Sequence, residues 1–86
     1  MSRDSMVTLT VKVLVEGRAA WYVVPDSYFP DDWRKMNTRQ FEEAVPADAK
    51  GWIPKSRSTF TIGEPSVGEV CEVEIPAWIA EQRGWE

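Results

Sequence analysis

Eighty-six residues confine the chain to one domain with a small core, and 43% hydrophobic against 28% charged residues is the balance of a globular fold. The absence of histidine and the single cysteine, Cys71, exclude a histidine general base, an internal disulfide and a cysteine zinc site. Ten basic against fourteen acidic residues leave a net charge of −4, opposite in sign to the usual nucleic-acid binder.

Residues 1–6, read as a flexible leader, lack the apolar run of a secretory signal, and no stretch approaches the length of a membrane span. Residues 7–16 alternate: Val7, Leu9, Val11, Val13 and Val15 on one face, Thr8, Thr10, Lys12 and Glu16 on the other, with Leu14 the exception. Period two with β-branched residues predicts a half-buried strand. Glu16-Gly17-Arg18 supplies a turn, and Ala19 to Val24 forms the second arm of a hairpin that stops at Pro25.

Residues 26–50 break the pattern and read as an insertion with short helices. Asp31 to Met36 suits a helical turn after Pro30, and Thr38 is placed to cap a second one over 39–45, ended by Pro46. A β segment begins at Gly51-Trp52-Ile53-Pro54 and continues through Ser58 to Ile62, with Ser56 bonding a nearby backbone group. Pro54 belongs at an edge. Residues 63–68 form a loop. In the last strand, 69–75, Cys71, Val73 and Ile75 face inward and Glu72 and Glu74 face water. Pro76 opens a helix over 77–83, with Gly84 at its C-cap and Trp78 as its anchor on the sheet; the role of Trp85 is open. Trp21 to Phe29 echoes Trp52 to Phe60, each a Trp, an apolar residue, a Pro and a Ser before an aromatic; a structural echo would mean two strand exits turned by one Pro-x-Ser device.

The expected fold is α+β: a small twisted antiparallel sheet or partial β-barrel of four or five strands, with short helices at 31–45 and 77–83. Trp52-Ile53-Pro54-Lys55-Ser56, followed by Ile75-Pro76-Ala77-Trp78-Ile79-Ala80 and Gly84, resembles small proteins encoded by bacteriophages and prophages, which share a W-I-P-K-S strand and a terminal I-P-x-W-[IL]-A…G helix. In those proteins the first strand runs directly into W-I-P-K-S, whereas residues 26–50 intervene here. The resemblance implies a phage accessory gene product in the cytoplasm of a bacterial host cell; the family's function is mostly unassigned.

The acids of 31–32, 42–43 and 48 lie among Arg34, Lys35 and Arg39 and read as a salt-bridged surface rather than a metal or two-carboxylate site. Lys55 and Ser56, adjacent on a strand, would point apart and cannot form a catalytic pair. No cofactor and no metal is expected. The expected function is therefore non-enzymatic: a module that binds and inhibits or modulates a host protein or protein–nucleic acid complex, by analogy with anti-CRISPR proteins, through acids at Asp31, Asp32, Glu64, Glu69, Glu72 and Glu74. Two alternatives are a single-stranded nucleic-acid binder using Trp21, Trp52, Lys55 and Arg57 on a β face, and a structural virion component.

Overall fold

The computed structural model describes residues 5–85. Five antiparallel strands form one sheet: β1 (Met6–Glu16), β2 (Ala20–Pro25), β3 (Gly51–Pro54), β4 (Thr59–Ile62) and β5 (Val70–Pro76), in the order β3-β2-β1-β5-β4. Two α-helices, α1 (Thr38–Ala44) and α2 (Ala77–Arg83), and four 3-10 turns complete the fold. The sheet, the strand count and the terminal helix agree with the α+β expectation. Of the expected leader, residues 1–4 lie outside the described residues, while Met6 opens β1 and the Ser5 carbonyl accepts the Ala77 N–H at 2.8 Å.

The sheet is curled. Trp21 on β2 and Phe60 on β4 meet edge to face with ring centroids 5.6 Å apart, although β1 and β5 lie between their strands. A flat sheet would separate those strands by about 14 Å. The same curl lets the single 3-10 turn Lys55–Arg57 carry the chain from edge strand β3 to the opposite edge strand β4. The sequence reading joined 51–62 into one β segment; the structure splits it because Pro54 cannot donate to a ladder and the 3-10 turn follows at once.

The concave inner face is closed by α2. Val11, Val13, Trp21, Val23, Ile53, Val73, Ile75, Ile79, Ala80 and Trp85 form its buried cluster, with Val7, Leu9 and Phe60 at its margin. Gly84 takes the left-handed conformation, φ 74°, and ends α2 so that the next residue turns inward. That residue, Trp85, is buried and donates its indole N–H to the Ala49 carbonyl at 3.0 Å. The anchor expected at Trp78 is therefore Trp85. Ala77, Ile79 and Ala80 are the residues α2 buries, which leaves Trp78 in solvent.

The convex outer face carries a second cluster. Leu14, Val24, Phe41, Val45 and Ala49 are buried there, flanked by Tyr22, Phe29, Trp33 and Met36. Leu14 lies on this face by simple alternation with Lys12, and its apolar character fits the cluster that covers it. The β1–β2 register shifts between Val13 and Val15, and this bulge moves Val15 opposite Tyr22, off the Val13 face where the sequence pattern put it. The expected helix at 31–36 is only the 3-10 turn Trp33–Lys35. Asn37, not Thr38, caps α1: its side chain accepts the Gln40 N–H at 2.8 Å and the Gln40 side chain accepts the Asn37 N–H at 3.1 Å, a reciprocal capping box. The Trp/Pro echo is a real structural repeat. Pro25 and Pro54 each end a strand and open a 3-10 turn, Asp26–Tyr28 and Lys55–Arg57. The serine of the expected device is not the bonding group; Ser58, not Ser56, donates to the Pro54 carbonyl, at 2.6 Å.

Candidate interaction surface

Along β1, the outer face presents Thr8, Thr10, Lys12 and Leu14 in turn. Residues 29–49 cover Leu14 and Lys12. Lys12, expected in water, is only 6% exposed; its ammonium lies 4.5 Å from the Phe41 ring centroid and 5.9 Å from that of Trp33. The aromatic rings supply the attraction that solvent would otherwise supply.

Beyond that cover, among the described residues, no helix or 3-10 turn packs on the outer face. Cross-strand pairing aligns two rungs: Thr8–Glu74–Thr59 and Thr10–Glu72–Ile62, contributed by β1, β5 and β4 in that order. Residues directly opposite on paired strands share a face, so the six side chains form a compact array with two carboxylates at its centre. Thr8, Thr59 and Ile62 are exposed, and Thr10, Glu72 and Glu74 are half-buried. Among the described residues, neither glutamate lies within ion-pair distance of a Lys or Arg; the two salt bridges, Arg39–Glu43 and Lys55–Glu16, are elsewhere.

The other expected acids fall into two further places. Glu64 and Glu69 lie on the β4–β5 connection, where with Gly63, Ser66, Val70 and Cys71 they line an open cavity of about 310 Å³. Cys71 is buried at its floor, donates to the Glu64 carbonyl at 3.3 Å, and has its thiol pKa pushed up by burial and by the Glu69 charge. Asp31 and Asp32 are exposed on the cover, before the Trp33 turn. Glu72 and Glu74 alone thus form a carboxylate pair on a shared sheet face. The sequence exposed their alternation on β5, but the flanking Thr8, Thr10, Thr59 and Ile62 were not legible as their neighbours, because register across three strands is set only on folding.

The four residues of the nucleic-acid alternative do not make one platform. Trp21 is buried on the inner face, opposite Ile53, whereas Trp52 is 42% exposed on the outer face and packs on Tyr22 at 5.0 Å. Lys55 is engaged twice, 4.4 Å from the Trp21 ring centroid and 3.0 Å from the Glu16 carboxylate. Arg57 is exposed in the turn that follows β3.

Among the described residues there is no group of three or more His, Cys, Asp or Glu side chains arranged to hold a metal ion, and no helix is long and apolar enough to cross a membrane. Comparison of the chain with protein-family models, curated proteins and solved structures finds no match.

Proposed function

We propose that the protein is a non-enzymatic binding module whose bare outer half-face, centred on Glu72 and Glu74, docks on a basic protein surface. The observation that carries this reading is the pair of half-exposed carboxylates, without an ion-pair partner among the described residues, flanked by small or exposed side chains on one sheet face. Two like charges on one strand face cost stability unless a partner neutralises them. The chain's net charge of −4 extends the attraction to longer range and would steer a basic partner toward it.

The W-I-P-K-S and I-P-A-W-I-A segments, seen here as β3 with its turn and the β5–α2 junction, support a phage or prophage setting. In that setting the partner is a bacterial host factor, and a groove that holds nucleic acid has the required positive charge. Occupying such a groove would inhibit the factor, as an anti-CRISPR protein would. The test is affinity capture from host lysate with the wild type and with Glu72→Lys/Glu74→Lys, the captured proteins being identified and their binding titrated against salt. The reading expects a basic partner that the wild type retains, that the double variant loses, and that salt releases. Equal capture by both proteins would sink it.

A further inference from the structure

The two edges of the sheet are unlike. At β3 the edge is closed: Pro54 has no N–H to offer, and the Trp52 carbonyl is already taken by the Arg83 guanidinium, at 2.7 Å from Nη2 and 3.2 Å from Nε. Lys55 is drawn back into the sheet by its N–H bond to the Ala19 carbonyl at 2.9 Å. At β4 nothing comparable is present among the described residues. Thr59-Phe60-Thr61-Ile62 contains neither proline nor charge, three of its four residues are exposed, and among the described residues its ladder partner is β5 alone. Its protections are its length of four residues and the irregularity between Phe60 and Ile62, which together limit pairing to a short run.

We propose that this edge of β4 accepts an extended segment of the partner as a sixth strand, with Lys or Arg at alternate positions of that segment. The inference rests on the reading of Glu72 and Glu74 as contact residues and names how the partner reaches them. Backbone bonds to β4 would supply affinity, and side chains on one face would supply selectivity. On the outer face, an added strand would place its side chains one spacing from Thr59 and Ile62 and two spacings, about 10 Å, from Glu74 and Glu72. Small Thr59 leaves that path open, and a Lys or Arg reaching inward meets a Glu reaching outward. Ile62, 61% exposed, adds an apolar contact beside them. Charge complementarity selects this occupant over a second copy of the chain. Joining two β4 edges would set one Glu72/Glu74 pair near another, between molecules that each carry −4.

The experiment is a titration of the isotope-labelled protein followed by amide NMR and hydrogen exchange. The probes are a short end-capped peptide alternating Lys and Val, the same peptide with its central amides N-methylated, and its Glu-for-Lys counterpart. The Lys peptide is expected to shift and protect amides of 59–62, to lose roughly tenfold in affinity on N-methylation and again in the Glu72→Gln/Glu74→Gln protein, and the Glu peptide is expected not to bind. If the N-methylated peptide binds as well as its parent and shifts the Glu72/Glu74 rungs without protecting β4, strand addition is wrong while the acidic contact surface stands. If the Lys peptide leaves both the rungs and β4 unperturbed up to millimolar concentration, both ideas fall.

Discussion

The outer face of the sheet is divided between a covered half and a bare half, and one strand runs through both. Lys12 and Leu14 of β1 lie beneath Phe41, Trp33 and the rest of the second cluster; Thr8 and Thr10, four and two residues before Lys12, lie outside that cover. The division follows the side chains that β1's neighbours supply. Beside Leu14, β2 contributes Tyr22 and Val24, apolar surface that must be hidden. Beside Thr8 and Thr10, β5 contributes Glu74 and Glu72, which need water or a partner. Residues 26–50 therefore act mainly as a structural cover, and the surface proposed for binding lies beyond it.

The largest effect is expected from Phe41→Ala. Phe41 is fully buried, makes an edge-to-face contact with Phe29 at 5.0 Å and lies over the Lys12 ammonium. Its loss should cost about 3–5 kcal/mol, read by chemical denaturation. A cost below about 1 kcal/mol would show that the cover contributes little to stability and would reopen it as a functional insertion.

Lys12→Met probes the same half by keeping the stem and discarding the charge. The lost attraction to two rings and the avoided desolvation of an ammonium oppose one another, so the net change should lie within about 1–2 kcal/mol. A larger loss, measured the same way, would mean that the ammonium has a binding partner beyond the two rings. Asn37→Ala removes one half of the capping box on a helix of only seven residues and should cost about 1 kcal/mol. Thr38→Ala should cost much less, which reverses the capping role that the sequence suggested and is checked by comparing the two melting temperatures.

What was legible in the sequence follows the same division. The β1–β2 hairpin, the inward Cys71, Val73 and Ile75, and Gly84 as a C-cap came directly from periodicity and turn chemistry, which are local. The apolar Leu14 on the outer face was visible as an exception in the pattern, whereas the bulge that moves Val15 off the Val13 face was not visible at all. The burial of Lys12 was not legible, because its cover comes from residues some thirty positions downstream. The exchange of roles between Trp78 and Trp85 has a related cause: α2 buries Ala77, Ile79 and Ala80, and Trp85 is turned inward by the positive φ of Gly84 toward an Ala49 carbonyl that only the folded chain brings near. Of the six expected contact acids, two share a sheet face because β5 alternates; the other four are on loops, whose positions no period encodes.

The smallest stability effect belongs to the bare half and sharpens the contrast most. Glu72 and Glu74, two residues apart on one strand face, have their Cα atoms about 7 Å apart, a separation at which like charges repel across half-exposed surface. Glu72→Gln/Glu74→Gln keeps the shape and one acceptor oxygen of each side chain while removing that repulsion. The double variant should fall within about 0.5 kcal/mol of wild type or slightly above it, and its thermal midpoint should respond less to added salt, which screens the wild-type pair. The partner's affinity should fall steeply in the same protein. A destabilisation well beyond 1 kcal/mol would instead show that the two carboxylates hold the sheet together through bonds to Thr8, Thr10 or Thr59, and the bare half would then be a structural surface like the covered one. Stability kept while affinity is lost is the outcome that separates a surface built to touch another molecule from one built to support its own fold.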